Sequence, residues 1–329
     1  MKEGLLLLTG YLGTYNTTSS KGIYQFSFDE QSGKITDIHS ILLINDSKCV
    51  VLSDGVLISS INLDDESGIA LFDAKTHTLL DSALYEHKTP CFIKYYNHFI
   101  YTANYHDGVV MVYKLISSTL KLVKRIDIKP KAGCHQVILH DHYLIVPCLL
   151  LDEIRIFDME NDFQLVKTLK FDHVTGPRHG IFNHDHTRFY LVSELSSEFF
   201  VYQVNGLDFK LLHKLPLLPQ DKVRTSSTAA IRLTKNEQYI YVSTRGADLL
   251  TVIDVTKETP VIIQQTNCGG SHPRDFILSP DEKYLLVANR DSDNFVSFAL
   301  DQATGKITDK ISEQSVPHAV GITLENVAL

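Results

Sequence analysis

Residues 22–28 read Gly-Ile-Tyr-Gln-Phe-Ser-Phe, and apolar and polar side chains alternate along this run from Tyr24 to Phe28. Alternation in period two is typical of a β-strand that is buried on one face. Similar runs, rich in β-branched and aromatic residues, begin at residues 68, 108, 153, 198, 249 and 294, a mean spacing of about 45 residues. A repeat of this length indicates that one supersecondary unit is used seven times along the chain.

Each run, labelled strand c, has the same neighbours in the sequence. A more continuous apolar strand b lies about ten residues upstream, a strand a lies upstream again, and a more polar strand d follows. No long amphipathic helix competes with this pattern. Seven sets of four strands predict an all-β fold, a seven-bladed β-propeller with four antiparallel strands per blade, in a single domain over residues 1–329.

The two ends of the chain predict how the blades close into a ring. The chain begins with a strand b at residues 5–12 and finishes with a strand a at residues 318–324 that no strand b follows. One blade should therefore be closed by both termini, an arrangement that hides open sheet edges.

The composition excludes several classes of protein. The 31 Lys and Arg against 39 Asp and Glu give a net charge of −8, so no basic excess is available for a nucleic-acid surface. The sequence has no signal-peptide pattern and no apolar run near the roughly 18 residues of a membrane span. Five widely spaced Cys predict reduced thiols in a cytoplasmic protein, and the absence of Trp argues against WD40 and Asp-box propellers. Nothing in the sequence predicts an obligate protein partner.

Polar residues with catalytic or binding chemistry recur at two places in the repeat. In a propeller blade the start of strand a and the end of strand b emerge on the same face, so side chains at these positions should converge. They are His135, Arg178, His179 and Arg274 at the starts of strand a, and Asp152, Glu194, Arg245 and Asn289 at the ends of strand b. Three arginines and two histidines together predict a local anion site, which the overall negative charge conceals.

The same residues also have structural interpretations, which the sequence leaves open. Glu194 can serve as a salt-bridge partner of Arg178, and Arg274 can pair with the adjacent Asp275. His140 and His186 fall in predicted outer turns, where we expect no function. No H-E-x-x-H or D-x-D-x-D-G motif is present and the site positions carry few carboxylates, so we expect neither a metal nor a cofactor.

Several ordered motifs carry a family resemblance. They are G-P-R-H at 176–179, E-L at 194–195, S-T-R-G at 243–246 and P-R-D-F at 273–276. In this order and at these spacings, from about residue 90 to residue 317, the chain resembles the seven-bladed β-propeller lactonase family. That family includes 6-phosphogluconolactonases of the cycloisomerase type and is related to carboxymuconate cycloisomerase.

The resemblance implies roles for individual residues. It implies an active-site set of His135, Arg178, Glu194 and Arg245, with substrate contacts from His179, Arg274, Asp152 and Asn289. The chain departs from the family pattern at Cys134, where the family usually has a second His, at Cys148–Leu150, where a D-L-G motif is usual, and at Thr244 in place of Asn.

The resemblance also implies an activity. We expect a cytoplasmic carboxylic ester hydrolase of the pentose phosphate pathway that opens a small anionic lactone, 6-phosphoglucono-δ-lactone, without a metal. Arg245 and Arg274 would bind the phosphate, Arg178 would stabilise the oxyanion, and either His135 or Glu194 would act as general base. Two alternatives stay open: a muconate-type lactonising cycloisomerase, and a non-catalytic propeller that binds a metabolite or a protein.

Overall fold

The computed structural model describes residues 7–20 and 22–327, and these residues form 28 β-strands. In chain order the strands are β1 (Leu7–Thr14), β2 (Ile23–Asp29), β3 (Ile35–Leu42), β4 (Val50–Ser53), β5 (Val56–Leu63), β6 (Glu66–Asp73), β7 (Leu79–Glu86), β8 (Phe92–Tyr96), β9 (Phe99–Asn104), β10 (Val109–Ile116), β11 (Thr119–Asp127), β12 (Ile138–His140), β13 (Tyr143–Cys148), β14 (Glu153–Asp158), β15 (Gln164–Lys170), β16 (Pro177–Phe182), β17 (Arg188–Ser193), β18 (Glu198–Asn205), β19 (Asp208–Pro216), β20 (Ser227–Leu233), β21 (Tyr239–Arg245), β22 (Leu249–Asp254), β23 (Val261–Asn267), β24 (Pro273–Leu278), β25 (Tyr284–Asn289), β26 (Asn294–Leu300), β27 (Ile307–Ser315) and β28 (Ala319–Leu324).

Helix is confined to two short segments of the described chain. A 3₁₀ turn spans Leu149–Leu151 and a single α-helical turn, α1, spans Gln220–Val223. In the part of the chain that the structure describes, no helix is long and apolar enough to cross a membrane.

The strands form seven four-stranded antiparallel sheets. Six sheets take four consecutive strands, from β4–β7 to β24–β27, and the seventh has the order β28-β1-β2-β3. The seven predicted blades of four antiparallel strands are therefore present. The sheets fall into two compact units, unit 1 (Met1–Thr89, Ser117–Leu120 and Thr266–Leu329) and unit 2 (Pro90–Ile116 and Lys121–Gln265).

Unit 1 contains the sheet that joins the two ends of the chain. β28 pairs with β1 in antiparallel register, Gly10 opposite Leu324 and Leu12 opposite Ile322, which confirms the predicted closure of one blade. The predicted strand at 5–12 starts at Leu7 in the structure, and residues 5 and 6 lie outside the described residues. Side chains of β2 and β26 share a core in which the Phe26 and Phe295 rings meet edge to face, 4.9 Å between centroids.

Unit 2 holds four sheets, β8–β11 to β20–β23, except for the first two residues of β11 and the last two residues of β23. Each apolar cluster in this unit draws side chains from two neighbouring sheets, as Val192 of β17 and Val242 of β21 do. Full burial of an aliphatic or aromatic side chain contributes about 1.5–3 kcal/mol, so these clusters fix neighbouring sheets against one another.

Strand a of the sheet β12–β15 is short. β12 spans only Ile138–His140, and upstream of it the backbone pairs through a single bridge between Cys134 and Cys148. His135 therefore lies in an irregular segment at the entrance to the strand.

Candidate active site

Arg178 and Glu194 meet where two strands of unit 2 adjoin. β16 begins at Pro177, and its register against β17 shifts between Pro177 and His179, a bulge that re-aims the Arg178 side chain. Glu194 follows the end of β17, and its backbone N–H donates to the Gly176 carbonyl at 2.7 Å. The Arg178 Nε then donates to Glu194 Oε2 at 2.7 Å.

Arg245 is the second guanidinium on the same carboxylate oxygen. It ends β21, its Nη2 lies 2.7 Å from Glu194 Oε2, and its Nε donates to the Ser227 carbonyl at 3.3 Å. Burial of Glu194 raises the pKa of its carboxyl, but the positive charges of Arg178 and Arg245 outweigh burial and hold that pKa below its ordinary value. Glu194 is therefore a stable carboxylate that both guanidiniums share.

His135 and His179 form a second polar pair beside Arg178. His135 Nδ1 lies 3.1 Å from His179 Nε2, and both side chains are buried. Only one hydrogen atom fits between two ring nitrogens at this distance, so one imidazole donates and the other accepts. Arg178 Nη1 lies 3.4 Å from both His179 nitrogens and donates to the Ala229 carbonyl as well. The histidine pair is thus continuous with the Arg178–Glu194–Arg245 network.

Neighbouring residues hold the two histidines in place. Gln136, next to His135, accepts a hydrogen bond from the Gly180 backbone N–H, next to His179, at 2.7 Å. The Phe92 ring contacts the His179 ring edge to face, with 5.9 Å between centroids. These contacts join the irregular segment before β12 to the start of β16.

Asp152 contacts backbone rather than the network. Its Oδ1 accepts from the Gly176 N–H at 2.8 Å and its Oδ2 accepts from the Val174 N–H at 2.9 Å. Both oxygens hold the loop that leads into β16. Asp152 therefore contacts the loop that positions Arg178.

Tyr105 is a site residue that the sequence prediction did not select, although it follows the end of a strand b. Its ring lies 5.9 Å from that of His135. Burial raises the pKa of Tyr105, as does the nearby Glu194 charge, while Arg178 and Arg245 lower it. The ring contact with His135 places Tyr105 beside the histidine pair.

The two cysteines at which the chain departs from the family pattern, Cys134 and Cys148, pair through a backbone bridge directly before His135 and pack in one apolar cluster. Cys134 and Cys148 are fully buried free thiols, and Cys91 Sγ lies 3.3 Å from the Cys134 carbonyl oxygen. The pKa of Cys134 is raised by its hydrogen bond with Cys148 and by burial. A thiol in this setting stays neutral and is a poor nucleophile.

The remaining two predicted residues belong to unit 1. Asn289 is fully buried, and its Nδ2 donates to the Cys268 carbonyl at 3.0 Å. Arg274 lies on a bulge between Pro273 and Asp275 at the start of β24, and its guanidinium carbon is 5.4 Å from the centre of the Tyr15 ring. The structure thus joins five of the eight predicted residues in one network, His135, Arg178, His179, Glu194 and Arg245.

A second cluster of metal-ligating side chains lies elsewhere in unit 2. Single ligand atoms of His140, Asp141 and His186 fall within 4.8 Å of one another, with 3.0 Å between the two Nδ1 atoms. In the sequence this cluster is marked by two His-Asp-His triplets, at 140–142 and 184–186. The sequence prediction placed His140 and His186 in outer turns and gave them no role as ligands. None of the hydrogen bonds or ion pairs described above for the network involves these three residues.

Comparison with known proteins identifies the family. Residues 9–324 match the family described as "Lactonase, 7-bladed beta-propeller". The chain is 26% identical to the 6-phosphogluconolactonase of Bacillus subtilis, over 94% of this chain and 96% of that protein.

Solved structures give the same result. A crystal structure of a protein from Lactobacillus plantarum superposes with a TM-score of 0.89 at 28% identity, covering 97% of this chain and 99% of that one. A candidate 6-phosphogluconolactonase from Bacteroides fragilis superposes with a TM-score of 0.84 at 26% identity, covering 97% and 98%. The match spans nearly all the described residues, and the chain belongs to the seven-bladed β-propeller lactonase family.

Proposed function

We propose that the protein hydrolyses a sugar-phosphate lactone, 6-phosphoglucono-δ-lactone, to 6-phosphogluconate. The observation that carries the proposal is the continuous network in which the His135–His179 pair adjoins the Arg178–Glu194–Arg245 ion pairs. Ester hydrolysis needs a base for water and a positive group for the developing oxyanion, and this network contains both kinds of group. Membership of the lactonase family and the similarity to the Bacillus subtilis enzyme support the reaction class.

His135 is the general base in this proposal. A base is most effective when its pKa lies near the working pH, and the two guanidiniums hold the pKa of Glu194 below its ordinary value. An imidazole, with an ordinary pKa of about 6.5, suits the role better. His135 uses Nδ1 in its contact with His179, so Nε2 is the atom that we assign to the water proton.

Arg245 stabilises the oxyanion in this proposal, in place of Arg178. The Arg178 side chain is 1% exposed, and its nitrogens donate to Glu194, to the Ala229 carbonyl and toward His179. The Arg245 side chain keeps 11% of its surface exposed. Arg178 therefore acts as a positioning residue that orients Glu194 and His179, and Glu194 in turn orients Arg245.

The steps balance without a further reactant. Water gives a proton to His135 Nε2 and its oxygen attacks the lactone carbonyl carbon, so the carbonyl oxygen becomes an oxyanion beside Arg245. Collapse of this intermediate breaks the ring ester bond, and the departing ring oxygen takes the proton back from the His135 imidazolium. The products are a hydroxyl group and a carboxylic acid, which ionises in water.

The test follows the decay of freshly made 6-phosphoglucono-δ-lactone by NMR against its spontaneous hydrolysis. We expect wild type to accelerate the decay and His135→Asn to reduce kcat by about 10²- to 10⁴-fold, the usual contribution of a general base. His213→Asn in β19 of the same unit is the matched control and should leave kcat unchanged.

Two results would overturn the proposal in different ways. If wild type does not accelerate the decay, the substrate assignment is wrong, and cis,cis-muconate then tests the cycloisomerase alternative. If wild type is active and His135→Asn is equally active, the base assignment is wrong. We further propose a cytoplasmic location. The five free cysteines support it, because thiols stay reduced in the cytoplasm.

A further inference from the structure

Unit 1 contains a cluster of positive charge around one aromatic ring. The Arg274 and Arg290 guanidinium carbons lie 5.4 and 5.7 Å from the centre of the Tyr15 ring, and Lys48 Nζ lies 6.0 Å from it. We call Lys48, Arg274, Arg290 and Tyr15 the Tyr15 cluster. Its members come from three sheets: Tyr15 follows β1, Lys48 precedes β4, Arg274 lies in β24 and Arg290 follows β25.

Lys48 is the member whose setting most needs an anion. The residue is only 7% exposed, and among residues 7–20 and 22–327 no carboxylate lies within ion-pair distance of its ammonium group. A buried ammonium group is unfavourable unless an opposite charge balances it, and the face of one tyrosine ring is a weak substitute for a full negative charge. The setting of Lys48 therefore points to an anion that the described residues do not provide.

The aspartates beside the Tyr15 cluster do not balance it completely. Asp291 Oδ1 accepts from Arg290 Nε at 2.6 Å, and its Oδ2 lies 3.2 Å from His272 Nδ1. Asp275 follows Arg274 directly in the sequence. Counted one against one, these two aspartates offset the charges of the two arginines, and the charge of Lys48 remains.

We propose that the Tyr15 cluster binds a phosphate group. A phosphate monoester carries close to two negative charges and three terminal oxygens, so it can meet several cations at once, whereas a carboxylate offers one charge and two oxygens. A guanidinium matches two phosphate oxygens with its fork of N–H groups, and Lys supplies a point charge. Arg274, Arg290 and Tyr15 are each partly exposed, so a ligand can reach them.

This inference goes beyond the proposed function and concerns unit 1 alone. In the sequence prediction Arg274 is one of two phosphate contacts, and in the structure Lys48, Arg290 and Tyr15 lie around it. Binding of phosphate to the Tyr15 cluster requires no turnover, so it is measured separately from lactone hydrolysis.

The test is calorimetric titration of the full chain with inorganic phosphate at constant ionic strength in chloride, with gluconate as a carboxylate arm. We expect Lys48→Met and Arg274→Gln each to weaken phosphate binding about tenfold or more, as loss of a charge-assisted hydrogen bond does. Lys48→Met keeps the length of the side chain and removes a buried charge, so the variant should fold, which circular dichroism checks. Lys310→Met, on an exposed ion pair with Glu313 in the same unit, is the matched control and should bind phosphate as wild type does.

Each outcome decides a different point. Phosphate binding that both cluster variants weaken and the control does not, with no comparable binding of gluconate, supports the assignment. Equal binding by wild type and both variants, no phosphate binding by wild type, or equally tight binding of gluconate overturns it. If phosphate binds at the Tyr15 cluster while the phosphorylated lactone is not hydrolysed, the phosphate site stands and the proposed function fails.

Discussion

Replacing Glu194 by Gln removes a negative charge that Arg178 and Arg245 both contact while it keeps the shape of the side chain. Glu194 Oε2 lies 2.7 Å from Arg178 Nε and 2.7 Å from Arg245 Nη2. In the variant the two guanidiniums face each other across a neutral amide, and the interior has no other change in volume. The substitution therefore isolates the electrostatic part of the network.

The size of the effect follows from burial. The three side chains are 1%, 17% and 11% exposed for Arg178, Glu194 and Arg245, so solvent screens their interaction little. Removing one partner of a buried ion pair costs about 3–5 kcal/mol, and the Gln carbonyl that still accepts one hydrogen bond returns roughly 1 kcal/mol. We expect the free energy of unfolding to fall by about 2–4 kcal/mol at pH 7.

The loss of unfolding free energy should depend on pH, and the pKa of Glu194 determines the direction of that dependence. Because the folded-state pKa lies below the ordinary value of 4.5, the stabilisation is fully present above pH 4.5 and is lost as the pH falls through the folded value. The difference between wild type and Glu194→Gln should therefore be constant from pH 7 to about 5 and should narrow below pH 4.5.

Denaturant unfolding followed by far-UV circular dichroism measures this difference, since the chain has no Trp to report by fluorescence. Glu198→Gln is the matched control, because Glu198 pairs with a Lys214 side chain that is 40% exposed and such pairs contribute about 0–1 kcal/mol. A Glu194→Gln variant no less stable than Glu198→Gln at pH 7, or a difference that grows toward acid pH, would refute the reasoning.

Two further predictions concern stability. Burial raises the pKa of several tyrosines, among them Tyr105 and Tyr202, so their contribution to stability is present below pH 10 and is lost as the pH rises through their folded-state pKa values. The absorbance of phenolate and the circular dichroism signal should therefore change together as the solution is made alkaline. Full ionisation of the tyrosines in a chain that stays folded would contradict this prediction. Gly176 and Gly206 both have positive φ, but an added Cβ at Gly176 would lie 2.7 Å from Leu195 Cγ while one at Gly206 meets nothing within 4 Å. Gly176→Ala should cost about 1–2 kcal/mol for backbone strain plus a steric cost, and Gly206→Ala the strain alone, so equal unfolding free energies for the two variants would rule out the steric explanation.

The repeat was predictable because its b strands are apolar and buried on both faces, as β9 and β17 are. Runs rich in β-branched and aromatic residues recur seven times at a spacing of about 45 residues, and the structure has seven matching sheets. The outer strands were harder to place, since β7 and β23 are mostly exposed or half-buried and burial selects few of their side chains. The shortening of β12 was not predictable, because a single bridge between Cys134 and Cys148 leaves no mark in the hydrophobic pattern.

The residues of the network were predictable from their positions in the repeat, but their partners were not. Strand starts and strand ends share a face whatever their side chains are, so His135, Glu194 and Arg245 could be grouped by counting alone. Which nitrogen of Arg178 meets which carboxylate depends on the bulge at the start of β16, which the sequence marks only by a Pro-Arg dipeptide. Tyr105 was passed over because its place in the site arises from a ring contact with His135 of the neighbouring sheet.

The Pro-Arg dipeptide occurs at equivalent places in two blades, and the residue that follows the paired strand differs in charge between them. Pro177 pairs with Ser193 and Pro273 with Asn289, each with a bulge at the arginine, so Glu194 and Arg290 are the equivalent residues that follow. Their backbones confirm the equivalence, since Glu194 N–H donates to the Gly176 carbonyl and Arg290 N–H to the His272 carbonyl. A carboxylate at this position neutralises Arg178 and allows it to be buried, whereas a guanidinium at the same position leaves Arg274 partly exposed beside a second cation. The same backbone frame thus holds opposite charges, Arg178 and Glu194, in one blade and like charges, Arg274 and Arg290, in the other.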